Sequence, residues 1–223
     1  MNKLKLNKFL KILLIITGLL CVADCAQAKK IKGLFGKSSI KSEIDIYDMS
    51  IDDNLENPVL GKQAPEIANF QLMQAKKLKK IYHLNVETMR DGEVVVITIP
   101  ASQLFAPNDT VVTELGKLTL QPFKAYLQTR GLYKVILAMH SDNTGNDAYT
   151  FDLTRDRVNA VFDWFSKEDP SRTDYVVPYA LGSSEPLYPN NSMDNRKENR
   201  RLEIYLVPNT LMIEQAKKGS INL

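Results

Sequence analysis

The chain has 223 residues, 44% of them hydrophobic and 25% charged, an ordinary globular balance with room for one or two domains. Its formal net charge of +3 belongs to the first 28 residues: without them basic residues fall from 29 to 25, acidic ones from 26 to 25, and the net charge to 0. A neutral remainder has no global pull toward nucleic acid, and two histidines, His83 and His140, exclude a His-rich metal cluster.

Residues 1–28 run from "MNKLKLNKFLK", with four lysines, through the uncharged "ILLIITGLLCVA" to Ala26-Gln27-Ala28. This is the basic, apolar, small-residue order of a secretory signal peptide. Twelve uncharged residues span only about 18 Å as a helix, short of a roughly 30 Å bilayer core. Both cysteines, Cys21 and Cys25, lie here, so cleavage after Ala28 leaves a chain without thiols. Lipid attachment at Cys25 is the alternative, and only then is a membrane a partner; Asp24 stands where a small residue is expected. Residues 29–63 mix charge, Ser, Gly and Asn without apolar period and read as a tether, with one short extended piece at Ile44–Tyr47.

From residue 64 to 84 Ala68, Leu72, Ala75, Leu78 and Tyr82 recur at helical spacing, predicting a lead-in helix that ends before the turn "RDGE". "VVVITIP" predicts a strand, stopped by Pro100. After the loop "LFAPNDT", Val112, Leu115, Leu118, Phe123 and Leu127 form a helical stripe in which Pro122 predicts a kink. "YKVILAMH" is a second strand, and Val158, Val161, Phe162 and Phe165 mark a second long helix. "YVVPYAL" reads as a third strand interrupted at Pro178, and a long hairpin-type loop leads to a last strand, "RRLEIYLVP". Asn209 is placed to cap a short final helix within 209–223. The resulting fold class is α/β: a β-α-β-α-β-β mixed sheet with helices on one face, preceded by a helix and a tether.

Chemistry concentrates in "HSDNTGNDAYTFDLTRDR". Asp142 follows a strand, in a loop that Gly145 allows to turn, and Arg157 lies in the next helix. One reading is an ion pair that pins loop to helix. The other is a clamp for a zwitterion: a carboxylate holds an ammonium, and a guanidinium holds a carboxylate through paired hydrogen bonds. Spacing alone leaves both open. His140-Ser141-Asp142 is no catalytic triad, because neighbours along a strand point to opposite faces. "DNTGND" has Leu153 where a calcium loop needs its twelfth-position Glu. Tyr149, Phe162, Trp164 and Phe165 read as core residues, and His140 as a packing histidine. No cofactor is expected, and no residue set for hydrolysis is present.

His140, Ser141, Asp142, Gly145, Tyr149, Thr150, Leu153, Thr154, Arg157 and Val158 stand in the register H-T-D-x-x-G-x-x-x-Y-N-x-x-L-S-x-x-R-A, and "RKENRRLEI", Arg196 to Ile204, matches R-x-x-N-R-R-V-E-I. "GSSEP", 182–186, stands between them. Over residues 92–207 the chain resembles the C-terminal peptidoglycan-binding domain of outer membrane protein A-like proteins. The resemblance implies an OmpA-like domain over 64–208 that binds the diaminopimelate of the peptidoglycan stem peptide. Asp142 would take the α-ammonium and Arg157 the α-carboxylate. Asn108, Ser141 and Thr150 would line the site, and Arg200, given the parity of Leu202 and Ile204, would be the inward, supporting arginine. Thr150 stands for the family's Asn. The chain would then be an exported envelope protein, in the periplasm or outer membrane of a Gram-negative-type cell, with envelope partners reached through 29–63. The alternative is the same fold as a protein-interaction module with a drifted ligand site.

Overall fold

The computed structural model describes residues 60–80, 84–167 and 169–223. The signal, both cysteines, Ile44–Tyr47, Tyr82 and His83 lie outside the described residues. Among those described, no helix is long and apolar enough to cross a membrane.

A 3-10 turn, Gly61–Gln63, leads into helix α1, Ala64–Leu78. Its buried stripe is Ile67, Gln71, Gln74, Ala75 and Leu78, rotated from the expected one: Leu72 is exposed. Two glutamines cause the rotation. The Gln71 amide donates to the Glu93 carbonyl at 3.0 Å and the Leu206 carbonyl at 3.1 Å, and its oxygen accepts from the Tyr133 hydroxyl at 3.3 Å. Tyr126 donates to Gln74 at 3.4 Å. A residue that reads as solvent-facing is inside because strand carbonyls and tyrosine hydroxyls satisfy it.

The turn "RDGE" joins a hairpin, strand β1, Asn85–Met89, to β2, Val94–Pro100, with Arg90, Asp91 and Gly92 all at positive φ. Five residues with Glu at the centre left β1 hidden from the pattern of the sequence. A short helix, α2, Ala101–Leu104, and an isolated Phe105–Val112 bridge enclose the loop that holds Asn108.

The kink at Pro122 splits the next helix into α3, Glu114–Leu120, a 3-10 turn, Gln121–Phe123, and α4, Lys124–Gln128. Leu115 and Leu118, expected inside, are 63% and 71% exposed. The break re-phases the helix: Phe123 and Leu127 are buried as expected, and Gly116, Leu120 and Tyr126 join them in place of the two leucines. Gly116 sits against α2, where a Cβ would lie 2.7 Å from the Leu104 carbonyl oxygen.

Strand β3, Tyr133–His140, leads to helix α5, Asp147–Ser166, then β4, Val176–Gly182. Strand β4 runs unbroken through Pro178, which pairs with Leu137. As the terminal strand of the sheet it has a free edge, where a missing N–H is tolerated. The long loop after it contains an unforeseen helix, α6, Met193–Asn199, before β5, Arg201–Pro208. It is not a hairpin connection: the sheet order is β1-β2-β5-β3-β4, so β5 enters between β2 and β3, antiparallel to both, while β4 pairs with β3 in parallel. Asn209 caps the closing helix α7, Thr210–Lys217, its side chain accepting from the Thr210 N–H at 2.7 Å.

Val95, Ile97, Ile99, Leu137, Met139, Leu202, Ile204 and Leu206 turn one face of the sheet into the core beneath the helices, with Val158, Val161 and Phe165 of α5. The alternate residues of β5, Arg201, Glu203 and Tyr205, are polar and face the other way, yet are also buried.

Candidate functional site

Where β3 ends, the Ser141 N–H donates to the Gly182 carbonyl at 2.7 Å and ties the start of the loop to β4. The next residue, Asp142, is only 3% exposed. One carboxylate oxygen accepts from the Thr144 N–H at 2.8 Å, and the other pairs with Arg200 Nη1. Burial works to raise the Asp142 pKa, but the Thr144 hydrogen bonds and the Arg200 guanidinium outweigh it and hold the carboxyl below its ordinary range. Asn146 then caps α5, accepting from the Tyr149 N–H at 2.8 Å.

Arg157 lies on α5, 6% exposed, and the ion pair with Asp142 that the spacing allowed is not formed. Its Nε donates to the Asp109 carbonyl at 2.8 Å and its Nη2 to the Ala106 carbonyl at 3.3 Å, while its Cζ lies 5.0 Å from the Phe105 ring centroid. These bonds strap the Asn108 loop to α5. Asn108, at φ +56, is the exposed apex between the two bonded carbonyls. Asp109 stiffens the same loop by accepting from the Thr110 and Val111 N–H groups at 2.7 and 3.1 Å. Burial lowers the Arg157 pKa, and the positive charge of Arg200 acts in the same direction, against Tyr149 and Asp109. The two guanidiniums therefore share one neighbourhood, with Asp142 bonded to one of them.

Arg200 was expected to be the inward arginine; it is not. It caps α6, and its side chain, 41% exposed, reaches the 4% exposed Asp142 side chain. The buried one is Arg201, 3% exposed on the opposite face. Strand parity failed because β5 starts at Arg201, so Arg200 belongs to the helix end. Arg201 Nε lies 2.6 Å from Glu203 Oε1, and its Nη atoms reach the Asn199 and Glu185 carbonyls at 3.3 Å each. Tyr205 donates to the other Glu203 oxygen, and His140 Nε2 lies 3.4 Å from it. Burial pushes the Glu203 pKa up, but His140, Arg201 and Tyr205 together bring it down to about 2. This network holds the backbone on both sides of Arg200.

The remaining expected site residues divide. Ser141 is 6% exposed beside Asp142. Thr150 does not reach the surface of the site: it is 1% exposed, its hydroxyl donates to the Asp147 carbonyl at 3.1 Å, and it packs beneath Gly182. Gly145 turns the loop at φ +110. Tyr149, read as core, is 45% exposed and lies over Gly145. A groove of about 410 Å³ lies elsewhere, lined by Glu87, Thr98, Tyr188, Glu198, Glu203 and Tyr205 among others, and none of Asn108, Ser141, Asp142, Arg157 or Arg200 borders it. Among the described residues no group of His, Cys, Asp and Glu could hold a metal ion.

The chain is similar to several known proteins. YfiB of Escherichia coli (strain K12) is 29% identical over 103 residues, 46% of this chain and 64% of that relative's own length. Among solved structures, a MotB like protein from Desulfovibrio vulgaris has a TM-score of 0.56 at 20% identity, over 66% of this chain and 99% of that one. The cell wall anchor of the T6SS from Pseudomonas aeruginosa has a TM-score of 0.51 at 23% identity, over 65% and 99%. The family model that matches is that of the OmpA family, over residues 104–200, which carry the Asn108 loop, Asp142, Arg157 and Arg200. Over residues 104–200, 97 of the 223 residues, the chain is thus similar to the OmpA family, and its fold is that of the solved OmpA-like relatives.

Proposed function

We propose that the chain binds peptidoglycan non-covalently, through the free amino-acid head group of diaminopimelate in the stem peptide, and anchors an envelope protein or complex to the cell wall. The observation that carries this reading is the gathering of Asp142, Arg157 and Arg200 at one strand-end surface beneath the Asn108 loop. A guanidinium has five N–H donors, and Arg157 commits one at Nε and one at Nη2 to loop carbonyls. Those bonds fix its plane and leave the outer Nη donors for a carboxylate. Asp142 is the acceptor for the ammonium. Asn108 and Ser141 line the space between, and Thr150 supports it by packing under β4 rather than by touching the ligand. Similarity to a protein described as a cell wall anchor supports the reading. So does the signal-like order of residues 1–28, which directs the chain to the envelope, with 29–63 as spacer.

Asp142→Ala and Arg157→Ala each abolish pull-down by purified sacculi while circular dichroism stays native. Pull-down retained by both folded variants would contradict the proposal.

A second reading, a protein-interaction module, is favoured by Leu115 and Leu118 on α3, 63% and 71% exposed, with Val111, 67% exposed, in the loop before them. It requires a cross-linked envelope partner that is kept in Asp142→Ala and lost when Leu115 and Leu118 become Ser.

A further inference from the structure

Asp142 and Arg200 are unequal partners. The carboxylate is almost wholly buried and fixed by the Thr144 N–H, whereas the Arg200 side chain is 41% exposed. Arg157 is pinned by two carbonyls and a ring. Of the three charges, only Arg200 is free to swing.

We propose that Arg200 competes with the ligand's ammonium for Asp142, and that this competition makes the site selective for a zwitterion over a simple amine. An ammonium that takes Asp142 from Arg200 leaves that guanidinium without its carboxylate, in a neighbourhood where its charge already opposes that of Arg157. Like charges brought together in a partly desolvated site are unfavourable, so an amine gains little. A zwitterion brings its own carboxylate, which lies between Arg157 and the displaced Arg200 and takes over the role Asp142 had. Arg200 thereby weakens every ligand at the Asp142 end and compensates only those with a carboxylate. Arg201, through the Asn199 and Glu185 carbonyls, fixes the backbone from which Arg200 swings.

The inference rests on the diaminopimelate reading of the site, and the test separates the two. The chain from residue 29 is titrated with a diaminopimelate stem peptide and with the same peptide carrying lysine, which has the amine without the carboxylate. Wild type, Arg200→Ala and Arg200→Lys are compared, and the Asp142 carboxyl is titrated by NMR in each. Arg200→Ala should raise affinity for the lysine peptide about fivefold, the scale of a part-exposed ion pair released, lower it for the diaminopimelate peptide, and raise the Asp142 midpoint. Arg200→Lys should fall between. Equal loss for both peptides in Arg200→Ala, or an unmoved Asp142 midpoint, overturns the competition while leaving the diaminopimelate site intact. Failure of the wild type to bind the diaminopimelate peptide overturns the site reading and the competition with it.

Discussion

At Gly145 the backbone has φ +110, and a Cβ placed there would stand 2.8 Å from the Tyr149 ring. Tyr149 is 45% exposed, so the ring can turn aside; the backbone conformation cannot change without moving the Asp142 loop. Gly145→Ala should therefore cost about 1 kcal/mol, seen as a fall of a few degrees in thermal midpoint, and should weaken peptide binding as well. An unchanged midpoint would show that the loop tolerates a side chain. Of the site, the sequence disclosed the residues whose chemistry is local. Asp142, Gly145 and Arg157 fall within sixteen residues of one motif. The partners of those residues were not legible, because they arrive from far along the chain: Arg200 is 58 residues beyond Asp142, and the Ala106 and Asp109 carbonyls lie 51 and 48 residues before Arg157. Backbone carbonyls in particular leave no mark on a sequence.

Among the elements, β5 decides most. It is the central strand, buried along its whole length, with apolar residues toward the helices and Arg201, Glu203 and Tyr205 on the reverse. A polar row in a central strand is stable only if its members satisfy one another. Glu203→Gln leaves Arg201 buried with no carboxylate, and should destabilise the fold by about 3–5 kcal/mol in urea denaturation. The pH dependence follows from the same contacts. The folded pKa of Glu203 is about 2, below its ordinary 4.5, so its contribution is complete above about pH 4.5 and is lost as pH falls toward 2. Asp142, also held low, adds to the same acid-side loss. Wild type should thus lose stability steeply over this range, and Glu203→Gln less steeply; parallel curves would contradict the role given to Glu203. Strands rich in β-branched residues were legible, β3 to the residue. Strand β1, charged and short, was not, nor was the insertion of β5 between β2 and β3. Alternation reports which face is buried but is blind to which neighbour a strand selects.

The whole molecule joins a signal-like first segment to a neutral remainder, of which residues 104–200 are similar to the OmpA family and carry Asp142, Arg157 and Arg200. With no net charge to draw it to the wall, the proposed attachment would depend on Asp142, Arg157 and their neighbours. The most direct test is calorimetric titration of the chain from residue 29 with a diaminopimelate-containing stem peptide, beside its Arg157→Ala variant. The account predicts saturable one-to-one binding by the first, and none by the second with its fold intact. Absence of binding by the folded wild type, or equal binding by the variant, would contradict it.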